Sequence, residues 1–355
     1  MSNPDRPPVG GVVYALAAAA LFGASTPFAK LLVGGVDPIL LAGLLYLGSG
    51  CGLTGWKLWT RRNGRKPSEA ALRRTDLPWL AGAVLFGGVV APVLLMTGLA
   101  ATPASTASLL LNMEGVLTAL LAWFVFKENF DRRIALGMAA ITAGGVLMSW
   151  DGRPEAGVPW GAICIAGACL AWAADNNLTR KVSAGDPVVI AAIKGLVAGT
   201  VNVGVALARG AEVPGVGTVL ACGVVGLAGY GVSLTLFVLA LRNLGTARTG
   251  AYFSAAPFVG AAISMLLLGD RPAVAFFLAA ALMGVGVWLH LTERHDHEHA
   301  HEAMSHDHSH VHDEHHRHEH GPDDPPGEPH SHPHEHPPML HSHPHYPDIH
   351  HRHEH

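Results

Sequence analysis

The stretch TASLLLNMEGVLTALLAWFVF at residues 106–126 decides the predicted fold of this chain. A helix of about 20 apolar residues crosses a bilayer, and this stretch is long enough to do so. A second stretch, TGAYFSAAPFVGAAISMLLLG at residues 249–269, aligns with it at an offset of 143 residues. An acidic residue, Glu128 or Asp270, follows each stretch closely. This recurrence predicts that the chain contains two related halves.

The first span of each half supports the same repeat. FGASTPFAK at residues 22–30 aligns with WAADNNLTR at residues 172–180, and both place a polar cluster late in an apolar run. Five spans per half is an odd number, so the second half is expected to insert with the opposite orientation. Inverted repeats are typical of secondary transporters, whose substrate site lies near the membrane midplane between the repeats.

The composition agrees with a membrane protein. Half of the 355 residues are hydrophobic and 14% are charged, whereas soluble domains have about 25% charged residues. Repeated, nearly uncharged runs of spanning length disfavour a large soluble helical bundle. The ten predicted spans are approximately 10–32, 38–59, 77–99, 104–126, 133–150, 159–181, 187–208, 216–240, 247–268 and 272–291.

Basic residues give the predicted orientation, because cytoplasmic loops are enriched in Lys and Arg. With ten spans and a cytoplasmic N-terminus, 15 Lys and Arg residues fall in inner loops and 4 in outer loops. Both termini are therefore expected in the cytoplasm. The first span is interpreted as a retained helix, since one basic residue, Arg6, precedes it and no cleavage site is evident.

The histidines divide the chain into unlike parts, because all 24 lie at or after His290. The predicted organisation is one five-helix repeat at 1–150, a second at 151–292, and a histidine-rich tail at 293–355. The tail has few large apolar residues, so it is expected to be disordered. The predicted fold class is an all-α integral membrane protein with ten transmembrane helices in two inverted repeats.

Three stretches carry a family resemblance: YALAAAALFGASTPFAKLL in the first span, LNMEGVLTALLAWFVFKE in the fourth and SAAPFVGAAISMLLLGD in the ninth. Over about residues 10–291 the chain resembles the drug/metabolite transporter superfamily, specifically its EamA branch. The resemblance implies ten helices, a central cavity between the repeats, and export of amino acids, metabolites or drugs. Where that family often has Glu-Pro, this chain has Glu114-Gly115, while the ninth span keeps Pro257.

Ionisable residues inside spans are costly and are functional candidates by default. Glu114, Asp175 and Lys194 stand clearly inside predicted spans. Glu114, with Asn112 two residues before it, is a candidate proton carrier that exchanges protons during transport. The alternative is a structural carboxylate that is bonded to helix-end amides or hydroxyls.

Asp175 and Lys194 are expected at similar depth in adjacent helices, on the cytoplasmic side. A structural salt bridge and a substrate-binding or gating pair are both open interpretations. Asn176 follows Asp175 in the most polar stretch of any span and is a further site candidate.

Aromatic residues complete the candidate site. Tyr252 and Ser254 are candidates because the repeat alignment places them opposite the neighbourhood of Glu114. Six aromatic residues could line a cavity, although most are expected to pack or to anchor the membrane interface. They are Tyr14, Trp123, Trp172, Tyr230, Tyr252 and Trp288.

The tail has the composition of a metal-binding segment, since imidazole is the commonest side-chain metal ligand. Neutral imidazole suits Zn, Ni, Cu and Co, and closely spaced histidines let a chain wrap several ions. The candidate ligands are His295, His297, His299, His306, His308 and His310. A pH-responsive segment that charges near pH 6–6.5 is the competing interpretation.

The sequence favours a proton-coupled secondary exporter of a small organic metabolite or amino acid, in a bacterial inner membrane. It leaves open an alternative, export or homeostasis of divalent metal ions or metal chelates that the tail collects or senses. An enzyme is disfavoured because HExxH, phosphate-binding glycine loops and nucleophile elbows are absent. No cofactor is required and no nucleic-acid partner is expected; the partners are the solute, the bilayer and, for the tail, divalent metal.

Overall fold

The structure is a computed structural model. It describes residues 9–63, 72–126, 132–149, 160–183, 185–270 and 272–291, and four short segments of the tail at 296–301, 304–310, 330–336 and 339–344.

Helices occupy every predicted span. Helices α1 to α13 are, in chain order, Val9–Val33, Pro38–Arg62, Leu77–Ala83, Ala91–Ala100, Ala104–Leu110, Met113–Phe126, Arg132–Ser149, Trp160–Val182, Pro187–Ala208, Val216–Gly226, Ser233–Phe253, Ala256–Leu268 and Val274–Leu291. A 3₁₀ turn at Arg74–Asp76 precedes α3. Two stretches are π-helical: the first π segment, Val84–Val90, and the second π segment, Leu227–Val232.

Five helical stretches among the described residues are long and apolar enough to cross a membrane: Gly10–Val33, Pro38–Arg62, Arg74–Ala100, Pro187–Ala208 and Val216–Leu244. Shorter apolar helices are Ala135–Leu147, Ala256–Leu268 and Val274–Leu289. The chain is thus an all-helical membrane protein over this part, and the count of ten spans in two inverted repeats stays a prediction.

Two predicted spans differ from single straight helices. In the fourth, α5 ends at Leu110 and α6 begins at Met113; Asn112 donates a hydrogen bond to the Leu109 carbonyl across this break. In the ninth, the backbone leaves α11 at Phe253 and resumes as α12 at Ala256. The two breaks fall at aligned positions of the stretches that predict the repeat.

The connection between the eighth and ninth predicted spans also differs from expectation. The sequence places a loop between residues 240 and 247, but α11 continues through this region from Ser233 to Phe253. The residues there, LRNLGTAR at 241–248, include no proline, so nothing in the backbone chemistry forces the helix to end.

Helix packing follows a pattern that is repeated between the halves. Helix α2 packs on α9, and α7 packs on α13. Helix α1 packs against α11 and α12, and its counterpart α8 packs against α4 and α6. Elements at corresponding places in each half therefore meet equivalent neighbours.

Small residues allow the close approach of α2 and α9. A side chain at Gly50 would overlap the backbone at Gly195 and Leu196, and one at Gly195 would overlap Gly50. Such contacts between glycines are common where helices associate in lipid. Both helices begin alike, because Asp37 and Asp186 each accept hydrogen bonds from two backbone N–H groups of the first turn.

The described parts of the tail are extended where the sequence predicts disorder. Strands β1 (Asp296–His301) and β4 (Met339–Pro344) pair antiparallel, as do β2 (Met304–His310) and β3 (His330–His336). Antiparallel backbone hydrogen bonds need no apolar core, which is why a chain of alternating histidines can form them. Two-stranded ladders are marginal in water, so the pairing adds little stability.

Candidate functional site in the central cavity

A cavity lies between helices of both halves. Its walls come from α1, α2, α6, α8, α9, α11 and the second π segment, and its volume is about 60 Å³. Four ionisable or amide side chains reach it: Glu114, Asp175, Asn176 and Lys194. The sequence predicts all four as site residues, and the structure brings them together.

Glu114 links the two halves at this cavity. The Asn176 Nδ2 atom of α8 donates a hydrogen bond of 2.7 Å to Glu114 Oε1. Glu114 lies in the first turn of α6, where the helix dipole favours a carboxylate. The side chain is half-buried, so the carboxylate is held by the protein and is also presented to the cavity.

Asp175 and Lys194 form the ion pair that the sequence predicts from their similar depth. The Lys194 Nζ atom lies 2.6 Å from Asp175 Oδ1 and 2.7 Å from Oδ2, and Lys194 is 1% exposed. The Thr179 hydroxyl donates a further bond of 2.8 Å to Asp175 Oδ1. The lysine and the carboxylate therefore satisfy and neutralise each other, as buried charges must.

The first π segment supports this ion pair. Gly87 lies so close to Asp175 that a Cβ atom there would overlap the carboxylate. The Gly87 carbonyl accepts hydrogen bonds from Tyr46 Oη at 2.6 Å and from Trp172 Nε1 at 3.1 Å. π-Helical turns occur often at functional sites, and here one presents a carbonyl to two side chains of the cavity wall.

Aromatic rings form most of the remaining wall. Phe22 is central, with its ring centroid 5.5 Å from Trp172, 5.8 Å from Tyr230 and 5.4 Å from Phe253. Tyr46 packs on Tyr230 at 5.3 Å, and Phe237 packs on Phe253 at 4.8 Å. These separations are those of favourable aromatic pairs.

Three predicted site residues lie elsewhere. Asn112 is buried at the break between α5 and α6, near the Met283 sulfur. Tyr252 packs beside the Ala15 and Leu244 cluster. The Ser254 hydroxyl donates to its own helix at the Gly250 carbonyl. None of the three lines the central cavity as described.

The sequence identifies some cavity aromatics but misses others. Trp172 and Tyr230 are among those that it singles out, whereas Phe22, Tyr46, Phe237 and Phe253 are not. Phe22 begins one of the stretches that carry the internal repeat, which was an available signal. Phe237 lies in an apolar run that gives no signal of its own.

The metal prediction remains where the sequence left it. Among the residues that could be searched, those the structure describes, no group of three or more His, Cys, Asp or Glu forms a metal site. Five candidate ligands lie in β1 or β2: His297, His299, His306, His308 and His310. His295 lies outside the described residues.

Comparison with known proteins agrees with a transport fold. The model of the EamA-like transporter family matches residues 9–150 and 159–292. The chain is 27% identical over 295 residues to an uncharacterized transporter of Methanothermobacter thermautotrophicus, covering 79% of this chain and 85% of that protein. A solved crystal structure described only as a protein matches with a TM-score of 0.60 at 19% identity, over 79% of this chain and 94% of that one.

Proposed function

The chain belongs to the EamA-like transporter family and is a multi-pass membrane transporter, and from that premise we propose a proton-coupled secondary exporter of a small organic solute. The proposed topology has ten spans in two inverted repeats, in a bacterial inner membrane with both termini in the cytoplasm. No bound cofactor takes part. The aligned helix breaks and the equivalent helix contacts of the two halves support this topology.

The observation that carries the proposal is the position of Glu114. Its carboxylate reaches a cavity between the halves and is bound by Asn176 of the opposite half. Intramembrane carboxylates mark proton and substrate pathways. In the proposed cycle Glu114 holds a proton in one state and releases it in the other, so that solute leaves as protons enter.

The test is flux in everted membrane vesicles that are energised to acidify their interior. A pool of labelled amino acids and small metabolites is supplied to wild type, Glu114→Gln and Glu212→Gln, the last being an exposed carboxylate in the segment between α9 and α10. We expect solute uptake that collapses with the proton gradient in wild type and Glu212→Gln and is lost in Glu114→Gln. Gradient-dependent uptake that persists in Glu114→Gln would refute the coupling role.

A second candidate function concerns divalent metal. The register of β2 and β3 places histidine opposite histidine three times on one face: His306 and His334, His308 and His332, His310 and His330. Closely spaced imidazoles are ligands for Ni and Zn, so the tail would collect metal or sense it at the transporter. Flux of labelled Ni and Zn in full-length chain and in a truncation after residue 294 tests this role.

A further inference from the structure

We propose that the solute is a small alkylammonium cation, bound by the Glu114 carboxylate and the aromatic wall of the cavity. This inference rests on the proposed function, because it names the substrate class of the same site. It follows from the charges that face the cavity, from the rings around them and from the space between them.

The charge of the cavity is uneven. Lys194 is committed to Asp175 through two short contacts, so this pair has no net charge to offer a solute. Glu114 has Asn176 as its hydrogen-bond partner and no Lys or Arg paired with it in the part of the chain that the structure describes. When Glu114 is ionised, the cavity therefore has one uncompensated negative charge.

A low-dielectric cavity with a net negative charge selects its occupant. An isolated charge in such a place is costly, and either a proton or a cationic solute removes the cost. The two occupants exclude each other at one carboxylate. Exchange of a proton for an organic cation on Glu114 therefore supplies obligatory coupling without another ionisable group.

The aromatic wall favours the same class. The six rings of Phe22, Tyr46, Trp172, Tyr230, Phe237 and Phe253 line the cavity that Glu114 reaches. Aromatic faces attract ammonium groups, by about 0.5–2 kcal/mol for each interaction. A carboxylate solute would meet the reverse: these rings repel anions at their faces, and the one cavity lysine is already bound.

The space sets the size of the solute. A volume of about 60 Å³ is room for about four to six waters. An alkylammonium ion with about that many non-hydrogen atoms fills it. Tetramethylammonium is a suitable probe because its charge is permanent and its surface is methyl groups.

The test is equilibrium binding of labelled tetramethylammonium to the purified full-length chain in lipid nanodiscs. Competitors with the same number of non-hydrogen atoms isolate the charge: tert-butanol is neutral, propionate is an anion and glycine is a zwitterion. We expect displacement by unlabelled tetramethylammonium and by tert-butylammonium only. Equal competition by tert-butanol, propionate or glycine would overturn the cation assignment.

Variants locate the site. Glu114→Gln is expected to weaken binding about tenfold or more, Phe237→Leu about threefold to thirtyfold, and Glu212→Gln not at all. Glu114→Asp keeps the charge and is expected to retain most of the binding, which covers the case in which Glu114→Gln does not fold. Unchanged tetramethylammonium affinity in a folded Glu114→Gln chain would overturn the site.

The two proposals fail in different ways. Proton-driven flux of a neutral or zwitterionic solute that needs Glu114 would leave the transport proposal standing and refute the cation. Binding of tetramethylammonium at Glu114 with no gradient-driven flux of it would keep the site and refute the proposed transport cycle.

Discussion

The Asp175 carboxylate occupies the space that a side chain at Gly87 would need. The two residues belong to opposite halves of the chain, and the ion pair with Lys194 depends on their contact. Because the Gly87 carbonyl also binds Tyr46 and Trp172, this one glycine holds the ion pair and part of the aromatic wall in place.

Gly87→Ala is therefore expected to destabilise the protein. The added methyl group overlaps the carboxylate, so the first π segment and α8 must separate, at a cost of about 1–3 kcal/mol for overpacking. Gly204→Ala is the matched control, because a Cβ there has no atom within 4 Å to meet. Thermal unfolding in detergent should show a lower midpoint for Gly87→Ala alone, and equal midpoints would contradict the contact.

Removing one partner of the Asp175–Lys194 pair should be more damaging than removing both. Lys194→Met leaves a buried carboxylate without its partner, which costs about 3–5 kcal/mol. The double variant Asp175→Asn with Lys194→Met removes both charges and should recover part of that loss. Chemical unfolding of the three chains measures the coupling, and strictly additive losses would show that the two residues act independently.

The sequence was sufficient to predict this pair but not its surroundings. Depth along two adjacent helices is set by the rise per residue, which places Asp175 and Lys194 at one level. The face of a helix is harder to predict: Tyr252 was expected in the cavity, and its neighbour Phe253 is there instead. One residue turns a side chain by about 100° around the helix axis, and the break after Phe253 alters that angle further.

The two π segments are also beyond what periodicity can predict. Val84–Val90 and Leu227–Val232 are glycine-containing apolar runs like many others in the chain. Their wider turn depends on tertiary partners such as Tyr46 and Trp172, which bind the exposed Gly87 carbonyl. The helix break after α5 is different, because Asn112 in an apolar run was visible and its amide satisfies a helix-end carbonyl.

Asp186→Ala should cost more stability than Asp37→Ala, although both residues cap equivalent helices. Loss of the cap costs about 1 kcal/mol in each case. Asp186 is buried and also pairs with Lys57 of α2, whereas Asp37 is exposed. Chemical unfolding should give the larger loss for Asp186→Ala, and Lys57→Met should reduce the difference between the two variants. Equal losses for both Asp variants would mean that the pair with Lys57 contributes nothing.

Lys30 should control the segment between α4 and α5. Its Nζ atom donates to the Leu99 carbonyl at 2.6 Å and to the Thr102 carbonyl at 2.9 Å, where cations stabilise the exposed carbonyls of a helix C-terminus. On the other side of the segment, the Ser105 N–H donates to the Asp270 carboxylate. The connection is thus held from α1 and from the end of α12.

Lys30→Met removes one of these two attachments, so the amides of residues 99–105 should exchange with solvent faster while the rest of the chain is unaffected. Lys30→Arg retains the donors and should stay close to wild type. Hydrogen exchange measured by mass spectrometry distinguishes the two. If Lys30→Met left the exchange of this segment unchanged, the backbone and Asp270 alone would be sufficient to hold it, and the lysine would serve only to place a charge near the end of the first span.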